Sequence, residues 1–572
     1  MEKLIGNRNQ ITKNPWVPRV ISALAAAVYT TRIWIYAHSQ DSILDDGLYM
    51  LKGYLFTTGK YRPFQPFGPW TNKMPFSFLI PGYFQKLFGP GLRVGRYYAI
   101  GISLLFLIGA WLAARRLGGS WGAAAAVIII ALNPAPLKLY AMVFSEGLIA
   151  AMLVWMLAMV LGDDRPTWQL LPGAFIAGFI PVTRINMAPV LPFTLAYIFW
   201  EHGTRKGWYS TGISLVPLVG THVLYWPEIL KLSVKWIPES LTPFLDRFRI
   251  DFTGAIDVHD PVRSFKERYM SFLEGLRYHF PAIWGVVAGW ILWPEKWEDR
   301  SRFRAAVYLS ALFSILLIMH GYASLFKDFN VFAFSIYLSF FEILGILFLV
   351  NTFPEWRKRQ PSWKLYLIAL LILAVSLGVF YSYAGTQTVF GKQIGLLLSK
   401  NSLQFQNGRI LRAPWRIWET FKGTLGWNYR TSVFVFSIIS LLVVEVVLLG
   451  IFVWLMKLSG KYKGVDSMAY GLLVGFLGLG ILLSPTRILG GEMHNFSCRP
   501  GVIAEHERAA DTLVHNIKNG DRVVWIGSNT QSVLLEIMAS KNISLYPQQL
   551  NAQYSYRLGG DSTYLARHGY WN

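Results

Sequence analysis

Two adjacent carboxylates, Asp45 and Asp46, stand in "SQDSILDDGLYMLKGYLFTTGKYRP", directly after an apolar run long enough to cross a bilayer. In an ordinary surface loop such acids would simply face water. Here the residues that follow are apolar and aromatic, with Leu48, Tyr49, Leu51 and Leu55 at helical spacing. The spacing predicts an amphipathic helix lying flat on the membrane surface. Carboxylates fixed at that boundary are costly unless they are paired or used.

Other charged residues fall at comparable positions. Lys73 precedes Pro75 at the start of an apolar stretch, where a lysine either snorkels to the interface or meets a phosphate at headgroup depth. Glu146, in "YAMVFSEGLIAAMLVW", lies near one end of an apolar run, and Arg184, in "AGFIPVTRINMAPVLP", lies at a short turn between two such runs. A carboxylate within a membrane segment is a functional candidate, and a tightly flanked arginine needs an anionic partner. His320 and Lys327, near the end of a later run, are further cavity candidates. Two loops carry metal-capable residues, Asp257, His259 and Asp260 in one and Glu492, His494 and Cys498 in the other, without a recognised ligand spacing. The sequons at Asn495 and Asn542 are too short to carry weight, and the "WIGSN" turn lacks the glycine spacing of a nucleotide loop.

Long membrane helices must position these groups. The chain has 572 residues, 53% hydrophobic and 15% charged, whereas soluble proteins are about a quarter charged. Apolar runs recur along most of it, which predicts a polytopic α-helical membrane protein with about 13 spans. Their limits fall near 16–37, 97–114, 120–134, 140–161, 168–183, 186–200, 208–227, 280–293, 304–325, 330–350, 364–384, 431–456 and 466–484. The net charge of +22 belongs to loops and lipid headgroups rather than to a nucleic-acid partner. A single cysteine excludes an internal disulfide framework. The first run is too long for a cleaved leader and reads as a retained anchor.

Short-loop positives orient the spans. With the N-terminus inside, Arg115–Arg116, Arg165, Arg205–Lys206, Lys296, Arg300, Arg302 and Arg304, Arg357–Arg359 and Lys457–Lys463 all fall on the cytoplasmic side. The expected division is a transmembrane domain over 1–484, with external loops 38–96, 228–279 and 385–430, and an external soluble α/β domain over 485–572. Asp45, Asp46, Lys73, Glu146 and Arg184 then share the external face. Carboxylates and cations converging there suit an anionic lipid headgroup and a nucleophile.

At this level the chain resembles the GT-C superfamily of integral-membrane glycosyltransferases. The likeness is to the branch using polyprenyl-phosphate sugars, which includes protein O-mannosyltransferases and the aminoarabinose transferase acting on lipid A. Asp45-Asp46-x-x-Tyr49, Lys73-x-Pro75, "FGPGLRVGRYYAIGISLLFLIGAWLAARRLGG", "NPAPLKLY…SEGL" and "GFIPVTRIN" carry the resemblance over about the first 200 residues. The usual lysine-proline-proline reads Lys73-Met74-Pro75, and Ile185 follows Arg184 where a proline is common.

The resemblance implies that Asp45 is the general base of an inverting transfer to a glycan, lipid or protein acceptor. It implies that Lys73 and Arg184 offset the charge of the departing polyprenyl phosphate, while Asp46 and Glu146 orient the base, bind sugar hydroxyls or hold a metal. Some branches use a divalent ion and others do not, so the metal stays open. The expected setting is the outer face of a prokaryotic cytoplasmic membrane. The rival is a transporter or flippase of lipid-linked glycans, which should place its charges near the bilayer midplane between structural repeats. A catalytically dead relative is disfavoured by the intact Asp45-Asp46 pair.

Overall fold

The computed structural model describes residues 14–42, 44–61, 74–234, 243–248, 279–326, 336–357, 403–406, 409–412, 500–523, 525 and 530–545, with scattered positions in 363–368 and 423–450. The described chain is built mainly of helices: α1 (Trp16–Ser39), α2 (Leu44–Thr57), α3 (Phe76–Phe88), α4 (Leu92–Leu132), α5 (Pro134–Tyr140), α6 (Ser145–Val160), α7 (Thr167–Thr183), α8 (Val190–His202) and α9 (Thr204–Leu224). They continue with α10 (Leu230–Ser233), α11 (Phe280–Ile291), α12 (Arg300–Phe326), α13 (Ile336–Ser339) and α14 (Glu342–Thr352). A hairpin pairs β1 (Leu403–Gln406) with β2 (Arg409–Arg412). The C-terminal elements are α15 (Val502–Asn516), β3 (Arg522–Val523), α16 (Gln531–Ser540) and β4 (Ser544–Leu545).

The protein is a polytopic helical membrane protein. α1, α4 and residues Arg300–Tyr322 of α12 are long and apolar enough to cross a membrane, with α6 and α11 as shorter apolar helices. Helices match the expected spans at 16–37, 97–114, 120–134, 168–183, 208–227, 280–293 and 304–325; of the last three expected spans, 364–384 and 431–456 hold only scattered described positions and 466–484 holds none. Proline sets several starts, standing just before α3, α7 and α8 and within the first turn of α11. Its fixed φ and missing N–H cost nothing in a first turn.

α4 contains two spans. Gly119 has φ 66 and ψ −163, a combination open to glycine and strained for other residues. Tyr29 Oη donates to Ser103 O from one half of α4, and Arg32 donates to Ala131 O from the other. Both halves therefore lie against one turn of α1, and the chain doubles back at Gly119. The expected span 140–161 starts late: α5 ends at Tyr140, the chain leaves helical geometry, and α6 begins at Ser145.

The bundle has two distinct ends. At one, Lys206 Nζ donates to Arg165 O, Arg304 meets Glu201 at 3.3 Å, and Asn351 donates to Arg302 O. These are the basic loops after alternate spans, gathered on one side. The described candidate residues Asp46, Glu146 and Arg184 occupy the other.

α2 is a helix, as its spacing predicts, but it does not lie on a lipid surface. Leu48, Tyr49, Met50, Leu51 and Leu55 are all buried, with α3 on one side and α16 on the other. A surface helix would leave a polar face open; this one is covered by a unit more than 450 residues later in the chain. Burial of each large side chain contributes about 1.5–3 kcal/mol. α2 and α3 meet backbone to backbone at Gly53 and Gly82. A Cβ on Gly53 would lie 2.1 Å from Phe78 O. Gly53→Ala is therefore expected to lower stability in detergent by about 1–3 kcal/mol, the usual cost of overpacking. A thermal melt that does not move would contradict that close crossing.

At the C-terminus, β3 and β4 run parallel, with Arg522 opposite Ser544 and Val523 opposite Leu545. α16 is the crossover between them, which gives this stretch the order helix, strand, helix and strand. Ala510, Val533 and Ile537 form a small core of their own. Val502, Ile503, Leu534, Leu535 and Met538 instead join the core that contains α2.

Candidate functional site

Asp46, in the first turn of α2, is fully buried and fully engaged. Its Oδ2 lies 2.9 Å from Arg96 Nη2, and both side chains have no exposed surface. Ser42 Oγ donates to Oδ2 at 3.0 Å, and the Val143 backbone N–H donates to Oδ1 at 2.7 Å. Arg96 also reaches Ala141 O and Gln40 O, each at 3.3 Å. One buried ion pair thus ties the end of α1, the start of α2, α4 and the non-helical segment before α6. That segment is buried, and its polar backbone is satisfied by these side chains and by local turns rather than by helix.

A second chain of contacts begins one helical turn further on. Tyr49 Oη and Ser145 Oγ lie 3.0 Å apart, and Ser145 Oγ donates to Glu146 Oε2 at 3.0 Å. Arg184 Nη1 donates to Ser145 Oγ at 2.7 Å and to Glu146 Oε1 at 2.8 Å. Arg184 has just left α7 in an extended conformation, with Pro181 in the last helical turn behind it. It finds the anionic partner that its tight turn demands. Asp45 is half-buried in the same first turn as Asp46. Four residues before Tyr49, it shares a helix face with it, where Cβ atoms stand about 5–6 Å apart.

His320 belongs to the same neighbourhood. Its ring lies 5.5 Å from Phe340, and the Arg184 guanidinium sits 4.9 Å from that same ring. His320 Nδ1 is 2.7 Å from Leu316 O and its Nε2 is 3.1 Å from Asn186 Nδ2. A carbonyl only accepts, so Nδ1 carries the proton, and Nε2 accepts from the Asn186 amide.

Of the candidates named from sequence, Asp46, Tyr49, Glu146, Arg184 and His320 come together, with Asp45 alongside. Lys73 and Lys327 lie outside the described residues, as do Asp257, His259, Asp260, Glu492, His494 and Cys498. Lys73's neighbour Met74 packs with Ile229 and Leu232, and Ile185, next to Arg184, packs against that cluster. Among the described residues no three His, Cys, Asp or Glu side chains are grouped closely enough to hold a metal ion.

Sequence reasoning missed three contributors to this arrangement and one further cluster. Arg96, Ser145 and Asn186 hold Asp46, Glu146 and His320 in place. A further buried cluster joins Glu342 to Asn133 Nδ2 and, at 3.0 Å, to His279 Nδ1. Arg96 was open to detection, because an arginine at the head of an apolar run requires a partner. Ser145 had no such signal.

Beside Arg184 the bundle surface forms an apolar groove of about 820 Å³. Pro181 and Ile185 line it on one side, and Leu218, His222, Val223 and Trp226 line it from α9 and the residues just beyond.

No protein-family model matches the chain, and no curated protein matches it either. Among solved structures it is similar to ArnT from Cupriavidus metallidurans bound to undecaprenyl phosphate, at 16% identity over 95% of this chain and 88% of that one, with a TM-score of 0.46. The apo form of the same protein matches at 17% identity over 92% and 87%, with a TM-score of 0.41. The Archaeoglobus fulgidus oligosaccharyltransferase in its apo form matches at 14% identity over 70% and 62%, with a TM-score of 0.38. None of these likenesses reaches a TM-score of 0.5, and none assigns a residue role to this chain.

Proposed function

We propose that the protein is an inverting glycosyltransferase that moves a sugar from a polyprenyl-phosphate donor to a glycan, lipid or protein acceptor at the outer face of a cytoplasmic membrane. The observation that carries this reading is the junction of the Asp45 helix turn with the Tyr49–Ser145–Glu146–Arg184 chain. It stands at the bundle end opposite the basic loops.

In the proposed reaction the Asp45 carboxylate takes the proton of an acceptor hydroxyl as that oxygen attacks the anomeric carbon from the face opposite the phosphate. The bond from the anomeric carbon to the phosphate oxygen breaks, and its electron pair leaves with the polyprenyl phosphate. A phosphate leaving group needs compensating positive charge rather than a general acid. Arg184 supplies that charge, and Lys73, one residue from Met74, is assigned the same role. Glu146 and Ser145 hold Arg184 Nη1, so the guanidinium is oriented before the donor arrives. Tyr49 anchors the same chain to the Asp45 helix. Asp46, held in its ion pair with Arg96, acts as a positioning residue for Asp45. The groove beside Arg184 is apolar, as a prenyl chain requires.

Binding of sugar-free polyprenyl phosphate in lipid nanodiscs tests the phosphate assignment. Arg184→Gln removes a charge-assisted contact worth about 1.5–3 kcal/mol and is expected to weaken binding by at least about tenfold. Arg184→Lys should fall between that variant and the wild type. Equal affinity in all three, with unchanged thermal melts, would remove Arg184 from the site.

A further inference from the structure

The described C-terminal elements reach back to the residues that lead into α2. His506, on α15, is buried and makes two contacts through its two ring nitrogens. Nδ1 lies 2.7 Å from Ser532 Oγ on α16, and Nε2 lies 3.1 Å from Asp41 Oδ1. Asp41 precedes α2, and its neighbour Ser42 donates to Asp46. A Cβ on Gly47, one residue past Asp46, would lie 2.8 Å from Gln531 Cβ, so α16 rests directly on the first turn of α2.

The remaining contacts surround this point. Arg93 holds Glu507 in a two-pronged pair at 2.7 and 2.8 Å, and Lys60 donates to Met538 O beyond the far end of α2. Glu536 faces Gly91, and burial beside Glu507 and Asp511 pushes its carboxyl up to about 7. Leu534, Leu535 and Met538 share one apolar core with Leu48, Leu51 and Leu55. Arg93–Glu507 is exposed, and such pairs contribute about 0–1 kcal/mol. His506 alone among these groups joins a buried side chain of each C-terminal helix to the residues just before the carboxylate pair.

We propose that His506 is a positioning residue for the reaction: by bridging Ser532 and Asp41 it fixes the start of α2 and hence the direction of Asp45. The inference rests on the glycosyltransferase reading for its kinetic consequence, though not for the contact itself. A loosened α2 start leaves donor binding at Arg184 in place and misaligns the base. A displacement of about 1 Å at a reacting group can cost on the order of 100-fold in rate.

The experiment compares His506→Ala, His506→Gln, His506→Asn and Arg93→Gln in the full-length protein in nanodiscs. His506→Ala is expected to lower kcat roughly 10- to 100-fold with the donor KM held, since misplacement acts on the chemical step. Glutamine places an amide near Nε2 and keeps the Asp41 contact, so it should restore most of the rate. Asparagine reaches only the Nδ1 position and should not. Arg93→Gln breaks the exposed pair and is expected to stay within about twofold of wild type. Deuterium exchange over residues 44–57 supplies a readout independent of activity, with faster uptake expected in the alanine variant. Unchanged uptake, or an Arg93→Gln loss equal to that of His506→Ala, would overturn the proposal. If no donor supports transfer, the glycosyltransferase reading fails, and the exchange measurement still decides whether His506 holds α2. If the alanine variant does not fold, the contrast between glutamine and asparagine decides in its place.

Discussion

Replacing Asp45 with asparagine is expected to lower sugar transfer by about 10²- to 10⁴-fold, the usual contribution of a positioned general base. The amide keeps the shape and loses the basicity, so the acceptor hydroxyl must attack with its proton still attached. The donor KM should remain near wild type, because the proposed reaction assigns the phosphate to Arg184 rather than to Asp45. Stability should change little. Asp45 is half-buried in the first turn of α2, and removing its charge costs the helix end about 0.3–1 kcal/mol. Initial rates at saturating acceptor, with a melt recorded on the same sample, check both parts. A folded Asp45→Asn variant with undiminished kcat would move the base elsewhere.

Arg96→Met is expected to produce the opposite pattern, a loss of fold that takes activity with it. Asp46 and Arg96 are both wholly buried, and the pair joins α1, α2, α4 and the segment before α6. Removing one partner leaves an uncompensated buried charge, which costs about 3–5 kcal/mol. The melt in detergent should fall sharply, and α2 should become accessible to protease. Asp46→Leu in the same chain should recover much of the loss, because apolar side chains of similar volume often replace a buried pair at little cost. An Arg96→Met melt equal to wild type would mean that the pair does not hold α2. The two neighbouring acids are thereby separated, Asp45 by rate and Asp46 by stability.

Much of this arrangement was legible in the sequence, and the gaps have physical causes. Apolar periodicity located α1, the two halves of α4, α7, α9, α11 and α12, because a bilayer demands long unbroken runs. Charge placement singled out Asp46, Glu146, Arg184 and His320, since ionised or polar side chains in such runs need partners. The periodicity of α2 was read correctly as helix and wrongly as a lipid-facing one. A pattern local to fourteen residues carries no sign of α16, which covers it from far along the chain. His506 and Asp41 were out of reach for the same reason, 465 positions apart. Arg96 was passed over because it stands just outside the expected span at 97–114. The late start of α6 was hidden as well. Residues 141–144 are apolar enough to extend a membrane run, and local turns together with the buried Asp46 and Arg96 side chains satisfy a backbone that is not helical.

The most direct test of the central claim follows a labelled sugar. Wild-type protein and Asp45→Asn are each placed in nanodiscs with a polyprenyl-phosphate sugar labelled in the sugar and with cell-envelope acceptors. The label is then measured in the lipid and acceptor fractions. The account predicts that wild type moves label to the acceptor with inverted anomeric configuration, releasing polyprenyl monophosphate, and that the folded Asp45→Asn protein leaves the label on the lipid. Label that stays on the lipid with the wild-type protein for every hexosyl and pentosyl donor, or that moves equally well with Asp45→Asn, would contradict it.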